Sequence, residues 1–336
     1  MKKLLLVLGS GRSGTSLLMQ FFVNLGITIS DNVIAENISN PAGFYEDADL
    51  RSVHTKLLAD LFSHPSLQLP HDWQSQSCTV AAVEEIKKVL LAYPTAATGF
   101  HALKDPLINC FLPMWIRIFN QCKIVPIFFF ANRDASSVIS SFIAQYNYPP
   151  HLAELVWLNR TVDALHFSGY DVMFVQYEDW RARAKATGNE IVSYFDSSRV
   201  VKGDVDAISS SIYRPNLDRA SHVDYAIENP FVVRLSRFLS SCRGSEYDRD
   251  ALRGIVRECR DAMEGFKGWH QLANDAKRKL ASTTLKLEKV TTEVAKLKPL
   301  ELRVRELELE KLQSDQLSQQ VLRLQWQLDH FSTLSS

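Results

Sequence analysis

Four short apolar runs alternate with amphipathic stretches along the first half of the chain. The runs cover residues 4–8, 96–103, 124–131 and 172–177. They are continuously apolar and do not alternate with polar residues, which is typical of strands buried on both faces of a parallel sheet. Between them, apolar residues recur at helical spacing, as in Leu18, Phe21, Phe22 and Leu25. This order predicts a three-layer α/β fold, with a parallel sheet flanked by helices.

The strand pattern fades after about residue 232. Residues 231–265 predict one or two helices with a break at Gly244-Ser245. From about Ala273 the chain predicts a coiled coil, because two series of residues recur every seven positions. They are Leu280, Leu287 and Val294, each followed three residues later by Thr283, Val290 and Leu297.

Pro299 interrupts this seam, and a second register follows. Its members are spaced four and three residues apart: Leu317, Val321, Leu324, Leu328 and Phe331. We therefore predict three parts, namely an α/β domain over residues 1–232, a helical extension over 233–272 and a coiled coil over 273–336. A solvated helix that packs back on the domain is the alternative for the last part.

A glycine-rich segment follows the first apolar run directly and reads Gly9-Ser10-Gly11-Arg12-Ser13-Gly14-Thr15-Ser16. The order of strand, tight turn and helix start predicts a P-loop-like fold, in which backbone N–H groups at the helix start bind a phosphate. The glycine spacing fits a nucleotide-binding P-loop, but Thr15 stands where an ATPase or kinase carries lysine. The cation comes earlier, at Arg12.

A second candidate anion site follows the third apolar run. Arg133 comes at the predicted strand end, and Ser141 lies two turns into the next predicted helix. Arginine presents a planar, permanently charged set of donors to a phosphate. The segment alone also fits a structural pair between Arg133 and Asp134, with the helical serines on the surface.

Composition narrows the classes of partner. The formal net charge is zero and 46% of the residues are hydrophobic, so bulk attraction to nucleic acid or an anionic membrane is not indicated. The five cysteines include no C-x-x-C pair, which indicates reduced thiols without a zinc site. The first apolar run is too short for a signal peptide, and no run approaches the ~20 residues of a membrane span. We expect a cytoplasmic protein.

Together, the two anion-site segments resemble a known family. Residues 12–15, Arg-Ser-Gly-Thr, resemble the loop that holds the 5′-phosphate in sulfotransferases that use 3′-phosphoadenosine 5′-phosphosulfate (PAPS). Arg133 with Ser141 resembles their 3′-phosphate motif, although Ala135 replaces its common proline. Segments 40–46, 103–106 and 177–180 resemble the bacterial-type branch of the family. The five segments span residues 1 to about 225 and leave the predicted coiled coil outside the resemblance.

The resemblance implies a sulfuryl transfer from PAPS to an acceptor hydroxyl, leaving 3′,5′-adenosine bisphosphate (PAP). It implies that Gly11, Arg12, Ser13, Gly14, Thr15, Ser16, Arg133 and Ser141 bind the donor, and that no metal is needed. Arg12 is the first candidate to stabilise the transferred group and Lys104 the second. Lys104 could instead pair with its neighbour Asp105.

The general base that the reaction needs is less sharply indicated. By the resemblance, Glu46 is the first candidate. Four further residues stay open as the base: Glu36, Asp105, His54 and His101. Arg214 and Arg219 could reach the nucleotide, but exposed surface arginines are the plainer interpretation.

The acceptor is expected to be a carbohydrate or glycoconjugate, by analogy with bacterial relatives. Four aromatic residues in the segments expected to wall the acceptor site could stack on a sugar or belong to the core: Trp73, Tyr146, Tyr148 and Trp157. Two other functions stay open, a P-loop nucleotide kinase and a non-catalytic nucleotide-binding scaffold. The coiled coil predicts a homo-oligomer in either case.

Overall fold

A computed structural model describes residues 2–36, 43–196, 201, 203–214 and 225–334. The chain divides into two compact units, Met1–Asp275 and Ala276–Ser336. Nothing in the described part is a helix apolar and long enough to traverse a bilayer.

The described residues of the first unit form a four-stranded sheet whose neighbouring strands are all parallel. The strands are β1 (Lys2–Leu8), β2 (Phe100–Lys104), β3 (Ile124–Asn132) and β4 (Met173–Gln176). Their order across the sheet is β2-β1-β3-β4, so β1 lies between β2 and β3. Leu6 of β1, for example, is in register with Leu103 on one side and Phe128 on the other. The predicted α/β fold with a parallel sheet is confirmed.

Helices connect and cover the strands. In chain order they are α1 (Thr15–Asn24), α2 (Ala48–Asp60), α3 (Ser77–Ala92), α4 (Ile108–Cys122), α5 (Ala135–Tyr146), α6 (Pro150–Phe167), α7 (Asp179–Ala182), α8 (Ala184–Phe195), α9 (Val205–Ile212), α10 (Pro230–Leu239), α11 (Arg249–Gly265) and α12 (Lys267–Leu334). A short 3-10 turn, Trp73–Ser75, precedes α3.

Apart from Lys3 and the partly exposed first five residues of β3, the described strand residues are buried on both faces, as their continuous apolar character predicts. Leu4, Leu6 and Leu8 of β1 belong to the core on one side, with residues of α4, α5 and α6. Leu5 and Val7 point to the opposite side and pack with residues of α1 and α8. The side chains of one strand thus seal two separate apolar layers, because successive residues point to opposite faces.

The second strand starts later than its sequence pattern predicts. The apolar run begins at Ala96, but the strand begins at Phe100. Gly99 has a φ of 75°, in the left-handed region, so the chain turns immediately before the strand. The short apolar residues before Gly99 therefore belong to a turn.

The C-terminal segments follow the predicted helical pattern. Helices α10 and α11 flank Gly244, as expected, and their apolar residues join the same core as α6. Helix α12 runs through Pro299 without interruption, so this proline breaks the seam but not the helix. Described apolar residues of the seam are exposed, with Leu280 at 67% and Leu287 at 65%. The side chains of Leu328 and Phe331 lie outside the described part.

Candidate anion-binding site

The candidate site lies where the two central strands end. The glycine-rich loop follows β1, and Arg133 follows β3, its neighbour in the sheet. The connections after β1 and β3 lead to opposite edges of the sheet, because β2 lies beside β1 and β4 beside β3. In open parallel sheets, such a reversal at the carboxyl ends opens a crevice that binds ligands.

Glycine is required at two positions of this loop. Gly9 has a φ of 123°, and a Cβ there would lie 2.4 Å from the carbonyl oxygen of Ala131 on β3. Gly14 has a φ of 91° and precedes the first residue of α1 without any side-chain cap. No side chain at the N-cap residue Gly14 therefore accepts from the first N–H groups of α1, as in helix starts that bind anions.

Arg12 adopts a left-handed backbone conformation, with a φ of 71°. For a residue with a side chain this costs roughly 1–3 kcal/mol, and such residues cluster at functional sites. The Arg12 Nε donates to Ser141 Oγ at 2.9 Å, which ties the loop to α5. Ser141 thus contacts the first predicted anion site, whereas the resemblance assigns it to the second with Arg133.

Tyr177 lies between the loop and Arg133. The guanidinium carbon of Arg133 is 4.1 Å from the centre of the Tyr177 ring, a cation–π contact. A Cβ at Gly14 would lie 2.8 Å from Cδ2 of the same ring. One aromatic side chain therefore supports Arg133 and packs under the glycine turn, so the two candidate sites are adjacent.

The remaining loop residues have distinct surroundings. Ser13 Oγ donates to the carbonyl oxygen of Ser10 at 2.6 Å and closes the turn. Thr15 is the first residue of α1 and is buried, and Ser16 Oγ donates to the carbonyl oxygen of Phe44 at 3.4 Å. A Cβ on Gly11 would have the side chains of Arg160, Phe142 and Pro106 as its nearest neighbours.

A buried ion pair lies at the end of β2. Lys104 Nζ donates to Glu46 Oε1 at 2.6 Å, and both side chains are less than a tenth exposed. The alternative pairing of Lys104 with Asp105 is wrong, because Asp105 pairs with Arg51 at 2.7 Å. Lys104, the second candidate for charge stabilisation, and Glu46, the first candidate for the general base, are thus in direct contact.

Asp105 lies at the centre of a buried hydrogen-bond chain. One carboxylate oxygen accepts from Arg51 Nη1 and from the backbone N–H of Leu107, and the other accepts from His54 Nδ1 at 2.8 Å. Burial raises the pKa of Asp105, but the hydrogen bond from His54, the charge of Arg51 and the backbone hydrogen bond from Leu107 outweigh it and hold that pKa well below its usual range. Asp105 is therefore an ionised anchor and not a general base.

Both histidines proposed as alternative bases are engaged in the core. Trp115 Nε1 donates to His54 Nε2 at 2.9 Å, so with Nδ1 donating to Asp105 the ring is the neutral Nδ1–H tautomer. His101 lies within β2, and its Nε2 is 2.7 Å from the carbonyl oxygen of Pro94. Both nitrogens of His54 are hydrogen-bonded and the Nδ1 of His101 is buried without a partner among the described residues, so we keep Glu46 and the exposed Glu36 as candidate bases.

The aromatic and arginine candidates differ in whether they are buried, exposed or outside the described residues. Trp73 and Trp157 belong to the core, whereas Tyr146 is 49% exposed and Tyr148 is partly exposed. Arg214 lies near enough to Tyr45 to lower its pKa, although burial raises that pKa overall. Arg219, together with residues 40–42 of the segment before Glu46, lies outside the described residues.

Three residues of the site were not predicted from sequence. Asn109 Nδ2 donates to the carbonyl oxygen of Gly9 at 2.7 Å and fixes the end of β1 from the start of α4. Arg51 reaches Asp105 from α2, and Arg160 faces Gly11 from α6. Of these three residues, only Arg160 could have been noticed in the sequence, because it is a cation among buried apolar residues of a helix.

Comparison with protein-family models, with curated proteins and with solved structures returns no significant match. Within the described ranges, no group of three or more histidine, cysteine, aspartate or glutamate residues could hold a metal ion.

Proposed function

We propose that the chain is a PAPS-dependent sulfotransferase that transfers a sulfuryl group to an acceptor hydroxyl. The observation that carries this proposal is the placement of Arg12 and Arg133 on the loops after two neighbouring strands, with Tyr177 packed against both loops. A donor with phosphates at its 5′ and 3′ positions needs two such cationic sites on one sheet edge. The absence of a lysine beside Thr15 favours this donor over ATP.

The reaction is written as an in-line displacement. The acceptor oxygen forms a bond to sulfur as the bond between sulfur and the 5′-phosphate oxygen breaks, giving a sulfate ester and PAP. Glu46 takes the proton of the acceptor hydroxyl. Arg12 and Lys104 stabilise the negative charge on the sulfuryl oxygens and the leaving phosphate.

The contact between Lys104 and Glu46 fits these two roles. Each charge offsets the other in a buried place, where an unpaired charge is costly. When the donor brings its negative charge, Lys104 has a second anion to contact, and Glu46 has an oxygen for the acceptor proton. Arg51 Nε lies 3.9 Å from the other oxygen of Glu46 and keeps that carboxylate in place.

The test is turnover of labelled PAPS by purified protein, with sugars and lipid-linked glycans as acceptors. Removing one positioned donor lowers the rate typically ~10²–10³-fold, so we expect Arg12→Ala to lose activity to that extent. Glu46→Gln should lose turnover while still binding PAP, and Arg133→Ala should mainly weaken PAP binding. Arg257→Ala, on the exposed surface of α11, is the matched control.

The same variants separate the alternatives. Full turnover by Glu46→Gln would remove Glu46 from the role of base. Thermal stabilisation by ATP and magnesium but not by PAP would identify a kinase, since a ligand stabilises the fold in proportion to its occupancy. PAP binding without transfer to any acceptor would identify a binding scaffold.

The exposed apolar seam of α12 supports a second part of the proposal, namely association with another copy of this chain. The seam side chains are exposed in a single chain, and charged residues such as Glu293 and Lys296 pair along the helix. Two identical seams would bury each other as a coiled coil. Light scattering should give a multiple of the chain mass for the full protein and the mass of one chain for a protein truncated after Asp275. If both proteins contain the same number of copies, association through α12 is refuted.

A further inference from the structure

Arg160 is a cation of the site that the two-loop donor scheme does not use. It projects from α6, and its Nη1 would lie 3.4 Å from a Cβ placed on Gly11. Phe142 and Pro106 are the other neighbours of that position, with Cε1 at 3.6 Å and Cγ at 3.8 Å. The guanidinium therefore lies against the glycine-rich loop at Gly11, together with Pro106, which follows β2, and Phe142 of α5.

Within the described residues this guanidinium forms no ion pair, although Asp163 and Asp105 are near enough to the neighbouring Cys110 to raise the pKa of its thiol. The Nε of Arg160 is buried and makes no hydrogen bond in that part of the chain. Its charged group lies over the ring of Phe142 at 5.9 Å and beside the thiol of Cys110. Burial raises the pKa of Cys110 to about 12 although Arg160 opposes it, so the thiol is neutral and offers no counter-charge.

A partly buried cation without a counter-ion is costly, and a bound anion would offset that cost. Arg12 is already tied to Ser141 on α5, and Arg133 is stacked on Tyr177. Arg160 lies against Gly11, four residues before the first residue of α1, where the first phosphate is expected. A ligand that reaches both places must carry two linked anionic groups.

We propose that Arg160 binds the outer anionic group of a ligand whose inner phosphate lies at the start of α1. The inference rests on the proposed function in one respect, namely that in PAPS the outer group is the sulfonate attached to the 5′-phosphate. It makes Arg160 a residue that distinguishes the loaded donor from the spent product, because PAP lacks that group. Gly11 is then needed so that the guanidinium can approach the loop.

The test compares Arg160→Ala, Arg160→Lys and the wild type by calorimetric binding of PAPS without acceptor, PAP, pyrophosphate and orthophosphate. We expect Arg160→Ala to weaken PAPS and pyrophosphate binding ~10–100-fold, the range of a charge-assisted hydrogen bond, and PAP and orthophosphate less than twofold. Arg160→Lys keeps the charge and should lose less. Arg257→Ala should change none of the four.

Two outcomes would overturn the inference. They are equal losses for all four ligands and no loss for any of them. Pyrophosphate and orthophosphate keep this test separate from the proposed function. If no sulfate is transferred to any acceptor, selective loss of pyrophosphate binding still supports the role of Arg160, and its absence still refutes it.

Discussion

Replacing Asp105 by asparagine changes one oxygen into an NH₂ group at the centre of the buried chain. Asparagine can accept on one side only. If its oxygen faces Arg51, its NH₂ faces the Nδ1–H of His54, and if it is rotated, the NH₂ faces Arg51 and the N–H of Leu107. His54 cannot resolve the first conflict by moving its proton to Nε2, because Trp115 donates there. In each arrangement, two N–H donors therefore face each other with no acceptor between them.

The expected cost follows from these contacts. A buried donor without an acceptor costs about 1–3 kcal/mol. Loss of the carboxylate charge beside Arg51, whose side chain is 36% exposed, adds about 1 kcal/mol, as for a solvent-screened pair. We expect Asp105→Asn to lower the free energy of unfolding by about 2–4 kcal/mol. Urea unfolding monitored by near-UV circular dichroism measures this change in the free energy of unfolding, and we expect the m-value to stay unchanged.

Trp115→Phe provides the decisive comparison. Without the indole N–H, His54 can move its proton to Nε2 and accept from the new amide, so Asp105→Asn should cost roughly 1–2 kcal/mol less in this background. The cost should also shrink below about pH 4, because a carboxylate whose pKa is depressed by folding loses its contribution as it is protonated. An additive double-mutant cycle would refute the assignment of donors and acceptors in this chain.

Three further changes test other parts of the structure. Gly14→Ala should destabilise more than Gly26→Ala, because both need left-handed backbone at about 1–2 kcal/mol, but only Gly14 also meets a tyrosine ring; equal shifts in melting temperature would contradict this. Burial raises the pKa of Asp163 to about 7 against the opposing charge of Arg260, so the contribution of Asp163 to stability should fall by roughly 1–3 kcal/mol from pH 4 to 7. Asp163→Asn should flatten that profile, and parallel profiles would refute the assignment. Glu154 accepts from the Tyr225 hydroxyl and two backbone N–H groups, so Glu154→Gln should cost about 1–3 kcal/mol, more than Tyr225→Phe, in urea unfolding.

The strands and the glycine loop could be predicted because each is encoded locally. A continuous apolar run specifies a strand that is covered on both sides, and Gly9 and Gly14 mark turns that side chains would obstruct. The position of Arg133 also followed, since parallel strands end at the same sheet edge. The start of β2 was misplaced because short apolar residues fit a turn as well as a strand.

Partners across the fold could not be predicted in the same way. Adjacency in sequence suggested Lys104 with Asp105, but successive residues at a strand end point in opposite directions. Lys104 therefore meets Glu46, and Asp105 turns to α2. No periodicity encodes which acid lies opposite which base. Arg160 is a partial exception. Its sequence position already shows a cation within an apolar helix face, where a charged side chain is rarely found without a partner.

The order of strands has a kinetic consequence. Arg12 and Arg133 lie far apart in the chain and become neighbours only when β3 docks beside β1. Such long-range parallel pairing is slow, since the closure of the intervening loop precedes any gain from the contact. During refolding, the proposed binding of a nucleotide with two phosphate groups should therefore appear only after β1 and β3 have paired, and it would report on that late step.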